Sequence, residues 1–189
     1  MYLFFDTETT GLPSNYKAPV SDLNNWPRLV QLAFLYYDAS GNKIGEGDFI
    51  IKPDGFTISK GASRIHGITT EEALRDGQAI AGILEKFHAL VEKAEFLVAH
   101  NMAFDEMIMG SELLRNGMQN SLAGKVKICT MKQTTAFCGL IGGYGYKWPK
   151  LSELHYKLFR IGFADAHNAS ADISITAKCF WELRRIGRI

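Results

Sequence analysis

Large apolar residues run unbroken from Met1 to Phe5 and then give way, in DTETTGLP, to two carboxylates one residue apart. A short, bulky run with no polar face predicts a buried strand. Asp6 and Glu8 stand at its end, and because residues i and i+2 of an extended chain point the same way, both carboxylates face one side. After a polar stretch holding Pro13, Pro19 and Pro27, the runs RLVQLAFLYYD and IGEGDFIIKPD flank the turn signal Ser40-Gly41-Asn42, which predicts a β-hairpin. TTEEALRDG predicts a short helix capped by Thr69 or Thr70 and stopped at Gly77. Ile80, Ile83, Leu84, Phe87, Leu90 and Val91 recur at helical spacing and predict an amphipathic helix. EFLVAH reads as another buried strand, followed by a helix from about Asn101 to Arg115, and VKIC reads as a last strand. Helices are predicted around Met131 to Cys138, Leu151 to Phe159 and His167 to Arg185, with GLIGGYGYKWPK a glycine-rich aromatic loop between the first two. Three strands together, then strands alternating with helices, point to an α/β fold with a mixed sheet covered by helices.

Composition fits one globular domain across residues 1–189, since the chain is 47% hydrophobic and shows no repeat or low-complexity linker. Lys and Arg number 21 against 20 Asp and Glu, so the net charge of +1 decides nothing about partners. Its distribution says more. From Lys125 to Arg160 there are seven basic residues and one acid, Glu153. A basic band of that kind beside a cluster of carboxylates suits a phosphodiester-handling surface, and it also suits an ordinary solvated face. Cys129, Cys138 and Cys179 are widely spaced and form no C-x-x-C pair, which excludes a zinc ribbon and a disulfide framework. No segment approaches the roughly 20 apolar residues of a membrane span, and the N-terminal run is too short for a signal sequence, so a cytoplasmic location is expected.

Two like charges side by side repel, and a divalent cation with its preference for oxygen ligands is the usual remedy. Two further carboxylates lie where they could join Asp6 and Glu8. In LVAHNMAFDEM, Asp105 falls early in a helix that Asn101 is placed to cap, where the helix dipole favours an ionised group. In ADAHNASADISITAKCFWEL, Asp172 lies on the last helix, and the periodicity around it does not say which face it takes. His167 precedes Asp172 by five residues, roughly 140° around a continuous helix, so His167 belongs on the loop or at the helix start, with Asp165 a possible N-cap. A histidine there can approach an attacking water, take its proton and withdraw. His88 and His155 read as packing or helix-surface residues.

The three pieces DTETTGL, HNMAFD and HNASAD, in that order and spacing, resemble the motifs of the DEDDh (DnaQ-like) exonucleases, and RIHGIT at Arg64 to Thr69 is similar to a stretch those proteins carry between the first two. The family includes the epsilon proofreading subunit of bacterial replicative polymerase and ribonuclease T. The resemblance spans Asp6 to Asp172 and implies a ribonuclease H-like fold with a mixed five-stranded sheet. It implies removal of nucleotides one at a time from a 3′ end, with Asp6, Glu8, Asp105 and Asp172 binding two divalent ions, Mg²⁺ or Mn²⁺, and His167 as general base. It further implies that Thr9 to Leu12 touch the terminal nucleotide, that Phe104 helps stack it and that His66 contacts the strand. Leu12 and Phe104 read equally well as core residues.

Single-stranded DNA ends are the expected substrate, with RNA ends, as for ribonuclease T, the nearest alternative and a non-catalytic nucleic-acid-binding module a more distant one. The chain ends at Ile189, soon after its last helix, without the further tail that holds the epsilon subunit to its polymerase, so a polymerase partner stays open. The polar segment from Ser14 to Trp26 has no role legible in its residues.

Overall fold

A computed structural model describes residues 1–163 and 168–189. In chain order the elements are β1 (Tyr2–Thr9), β2 (Leu29–Tyr37), β3 (Lys43–Ile50), α1 (Lys60–His66), α2 (Thr70–Asp76), α3 (Ile80–Lys93), β4 (Phe96–Ala99), α4 (Met102–Arg115), β5 (Val126–Cys129), α5 (Thr130–Gln133), α6 (Thr135–Cys138), β6 (Ile141–Gly142), β7 (Gly145–Tyr146), α7 (Leu151–Phe159) and α8 (Ala169–Arg185). Among the described residues the first five strands form a mixed sheet in the order β3-β2-β1-β4-β5. β1 pairs antiparallel with β2 and parallel with β4. It is thus the middle strand, and it runs on through Asp6 and Glu8 to Thr9, beyond the Phe5 end that its hydrophobicity suggests.

Alternation along β1 sorts its side chains to two cores. Leu3 and Phe5 join Leu32, Phe34 and Leu97 beneath α3 and α4, whose Phe87, Ile108 and Met109 are buried there. Tyr2 and Phe4 join Ala33, Leu35 and Val98 beneath α8, against Ile173, Ala177 and Phe180. Two apolar faces need two layers of helix, which is why the sheet is covered on both sides.

The predicted hairpin forms as β2 and β3. Thr69 caps α2 in a reciprocal box, its hydroxyl accepting from the Glu72 N–H while the Glu72 carboxylate accepts from the Thr69 N–H. Four local expectations are corrected. Asn101 holds the N-cap position of α4 but makes no side-chain cap bond. Asn168 caps α8, accepting from the Ser170 and Ala171 amides, in place of Asp165. The helix around Met131 to Cys138 breaks into α5 and α6 at Thr134, whose hydroxyl donates back to the Thr130 carbonyl. The glycine-rich stretch holds a small hairpin, β6 and β7, turning at Gly143 and Tyr144 and entering β7 through Gly145, whose φ of 106° side-chain-bearing residues rarely adopt. Among the described residues no helix is long and apolar enough to cross a membrane.

Candidate active site

The parallel pair β1 and β4 is short: its register runs only from Tyr2 opposite Phe96 to Phe4 opposite Val98. Beyond Phe4 the two strands part, β4 ending at Ala99 and the chain turning into α4, so one edge of β1 has lost its strand neighbour. A buried amide must find another acceptor, and Asp105 supplies it: its Oδ1 accepts from the Thr7 N–H at 3.1 Å and from the Thr7 hydroxyl at 2.8 Å. Thr7 continues the Leu3 and Phe5 side of the strand, which faces α4. The backbone accounting of β1 therefore fixes where the Asp105 carboxylate sits.

Asp6 and Glu8 continue the other series, after Tyr2 and Phe4, and so face α8. Asp172 lies in the first turn of α8, with its N–H donating to the Asn168 carbonyl at 2.9 Å. The result is a cluster in which Asp6, Glu8 and Asp172 each offer an oxygen within 4.8 Å of the other two. Asp105 lies outside that trio but raises the charge cost of Asp6 and Glu8 through space, so the four carboxylates form one electrostatic unit.

The strain is visible in their protonation. Burial first, then repulsion from Asp105, Glu8 and Asp172, raises the Asp6 pKa well above the ordinary carboxylate value. Burial and then Asp172 and Asp105 push Glu8 up to about 7. Asp105 also reaches about 7, through burial opposed by its hydrogen bonds from Thr7. Carboxylates so crowded ionise together only when a positive charge joins them, and three convergent oxygens are the donor set a hard divalent cation takes.

The other expected site residues are placed unevenly. Thr9 is buried, with its hydroxyl donating to the Gly11 carbonyl at 2.7 Å, and the following loop is tied by Thr10 N–H to Arg28 and by Arg28 N–H to the Thr10 hydroxyl. Leu12 stands out from that loop, 73% exposed, which removes its reading as a core residue. Phe104 is half-buried and packs against the larger core while also lining a cleft. His66 is buried, its Nδ1 accepting from the Ile68 N–H at 3.2 Å, and burial lowers its pKa. His167 lies outside the described residues, as does Asp165.

Three neighbours of the site escaped the sequence reading. Thr7 is one. Gln31 sits across from Glu8 on β2, its amide nitrogen donating to Asp48 at 2.7 Å and its carbonyl facing the Ala169 N–H at 3.4 Å, so it links the sheet to the start of α8. It is the single polar residue inside an apolar strand, a signal that was available. His100 is the third. Its Nε2 donates to the Pro149 carbonyl and its Nδ1 accepts from the Thr130 hydroxyl, both at 3.0 Å, and burial holds it neutral with a pKa of about 4.

Of the basic band, Lys127 pairs with Glu106, Lys147 with Glu153, and Lys125 donates to the Glu92 and Ala94 carbonyls. Among the described residues Lys132, Lys150 and Arg160 form no ion pair.

This arrangement has relatives. The RNase T family model, described as an exonuclease, matches residues 3–180. The chain belongs to that family, the DnaQ-like 3′–5′ exonucleases its motifs resemble. DNA polymerase III PolC-type of Pediococcus pentosaceus is 30% identical over 118 residues, and that of Streptococcus sanguinis 32% over 117. Each match covers 62% of this chain and 7% of the much longer relative. Escherichia coli exonuclease I in complex with a dT13 oligonucleotide superposes with a TM-score of 0.76 at 24% identity, covering 97% of this chain and 40% of that one. Its zinc-bound complex with single-stranded DNA gives 0.75 at 26%, over the same shares. The mixed five-stranded sheet flanked by helices is the ribonuclease H-like fold of those structures.

Proposed function

We propose that residues 1–189 act as one exonuclease domain that hydrolyses single-stranded DNA from its 3′ end, releasing one nucleoside 5′-monophosphate per cut. The observation that carries this reading is the convergence of Asp6, Glu8 and Asp172 with Asp105 beside them, in a chain of the exonuclease family. Asp6, Glu8, Asp105 and Asp172 would hold two divalent cations, Mg²⁺ or Mn²⁺, which when bound stabilise charge on the attacking and leaving oxygens of an in-line displacement.

The chain's own groups do the rest. His167 takes the proton from the attacking water as its oxygen bonds to phosphorus, and the bond from phosphorus to the 3′ oxygen of the preceding nucleotide breaks, that oxygen taking a proton from solvent to become the new 3′-OH of the shortened strand. Thr9 to Leu12, with His66 beneath, hold the terminal nucleotide, the exposed Leu12 against its base and Phe104 beside its end. DNA is favoured by the likeness to exonuclease I, whose structures hold DNA oligonucleotides.

A 5′-labelled single strand of DNA or RNA, incubated with Mn²⁺ or Mg²⁺, tests the proposal. The expected result is a ladder shortening from the 3′ end on DNA, abolished by EDTA and restored by either cation but little by Ca²⁺. Cleavage that persists in excess EDTA would sink the metal reading. A ladder on RNA alone would move the substrate to RNA.

A further inference from the structure

The segment from Ser14 to Trp26 is built, although its sequence suggests only a polar stretch. Asn15 and Asn25 close it by exchanging two hydrogen bonds, Asn15 N–H to Asn25 at 2.8 Å and the Asn25 amide to the Asn15 carbonyl at 2.9 Å. Trp26 is buried and donates to the Pro19 carbonyl at 3.0 Å. Arg115 of α4 donates to the Leu23 and Trp26 carbonyls while pairing with the buried Glu112. A loop anchored at this many points holds its residues in fixed places, and beside the Asn15–Asn25 closure Tyr16 is 62% exposed.

Opposite stands the loop that His100 fastens. The His100 bond to the Pro149 carbonyl pins the residue after Trp148 to the end of β4. Trp148 is 60% exposed, with Lys132 Nζ 5.7 Å from its ring centroid. Tyr16, Trp26, Phe104, Met131, Lys132 and Trp148 line a cleft of about 510 Å³, the size of a small-ligand pocket. Its wall residue Phe104 directly precedes Asp105 on α4, so the cleft lies roughly 100° around that helix from the Asp105 carboxylate.

We propose that this cleft receives a nucleobase of the single strand, upstream of the nucleotide being removed, stacked between Tyr16 and Trp148. The proposal rests on the exonuclease reading and extends it to a second base site made by two segments to which that reading gives no role. Aromatic faces held apart by fixed loops accept any base, because every base has a π-face, and Lys132 and Lys150, which form no ion pair among the described residues, supply charge for the adjoining phosphates. A closed apolar core would bury Tyr16 and Trp148 instead of leaving both more than half exposed.

The test is equilibrium binding of a fluorescent dT oligonucleotide in Ca²⁺, with Trp148→Ala, Trp148→Phe and Tyr16→Ala compared with the wild type. Trp148→Ala should weaken binding about 5- to 150-fold, and Trp148→Phe, which keeps a stacking face, should recover most of it. An abasic residue walked along the oligonucleotide should cancel the Trp148→Ala penalty at one position and leave it at the others, as expected for a pair in direct contact. Binding within twofold of wild type for both alanine variants would overturn the cleft, as would a penalty equal at every abasic position. Degradation of the same strand by the wild type in Mn²⁺ reads the exonuclease activity separately, so loss of one result does not mimic loss of the other.

Discussion

The carboxylates of Asp6, Glu8 and Asp105 are held in a state they leave readily, and that gives each a measurable signature. In the metal-free protein Glu8 and Asp105 bind their protons up to about pH 7, whereas in the unfolded chain they release them near pH 4. The folded state therefore binds more protons across that window, and the stability these groups lend is full below about pH 4 and lost as the pH rises through about 7. Asp6→Asn removes one charge from the cluster. It should raise metal-free stability by about 1–3 kcal/mol at pH 8, leave it unchanged near pH 4, and abolish the stabilisation by Mn²⁺ that the wild type shows in thermal melts. His167→Ala leaves every carboxylate in place, so Mn²⁺ binding by calorimetry should persist while single-turnover cleavage falls about 10²- to 10⁴-fold. A His167→Ala protein that cleaves at the wild-type rate removes the residue from the mechanism, and one that loses Mn²⁺ binding makes it a ligand.

At the scale of elements, the site depends on how β4, α4, α5 and α7 are joined, and His100 is the joint. It connects the end of β4 to Thr130 at the start of α5 and to Pro149 just before α7. Its pKa is lowered to about 4, so the folded state binds fewer protons than the unfolded one between about pH 4 and 6.5. That contribution is present above about pH 6.5 and lost as the pH falls through about 4, the reverse of the carboxylate cluster. Because the two trends oppose each other over one window, they separate only in variants. His100→Gln, which can still donate to the Pro149 carbonyl, should flatten the acid-side loss by about 2–3 kcal/mol in urea melts at pH 4 and 7. His100→Ala should cost about 1–3 kcal/mol at pH 7. Equal pH slopes for wild type and His100→Gln would place the buried charge elsewhere.

For the whole molecule, the basic band from Lys125 to Arg160 is thinner than its residue count suggests, because ion pairs and carbonyl caps already hold Lys125, Lys127 and Lys147. Lys150 forms no ion pair among the described residues, so reversing it should weaken binding of a single strand and lower the slope of log affinity against log salt by about 0.7, the contribution of one phosphate. Reversal at Lys147, which also frees Glu153, should disturb the local structure more than the salt slope. Fluorescence titrations at several salt concentrations distinguish the two. An unchanged slope in Lys150→Glu would put that loop away from the backbone.

What the sequence determined was local. Periodicity placed most helices and the strands of the main sheet, because 3.6-residue and two-residue repeats are set by bonds between near neighbours, and the same two-residue repeat put Asp6 and Glu8 on one side of β1. The ordered motifs pointed to the family, and its model matches nearly the whole chain. Tertiary structure alone decided which side that was. Asp172 meets Asp6 because the even series of β1 faces α8, and Asp105 lies alongside because β4 parts from β1 after Phe4 and leaves the Thr7 amide in need of an acceptor. Neither fact is written in a local repeat: each follows from strand order and register among segments far apart in the chain, 98 residues for Thr7 and Asp105 and farther still for Asp6 and Asp172. The same holds for Tyr16, in a polar stretch of the sequence, and Trp148, in its glycine-rich aromatic loop, which line one cleft only because Arg115 and His100 fix two distant loops to the ends of α4 and β4.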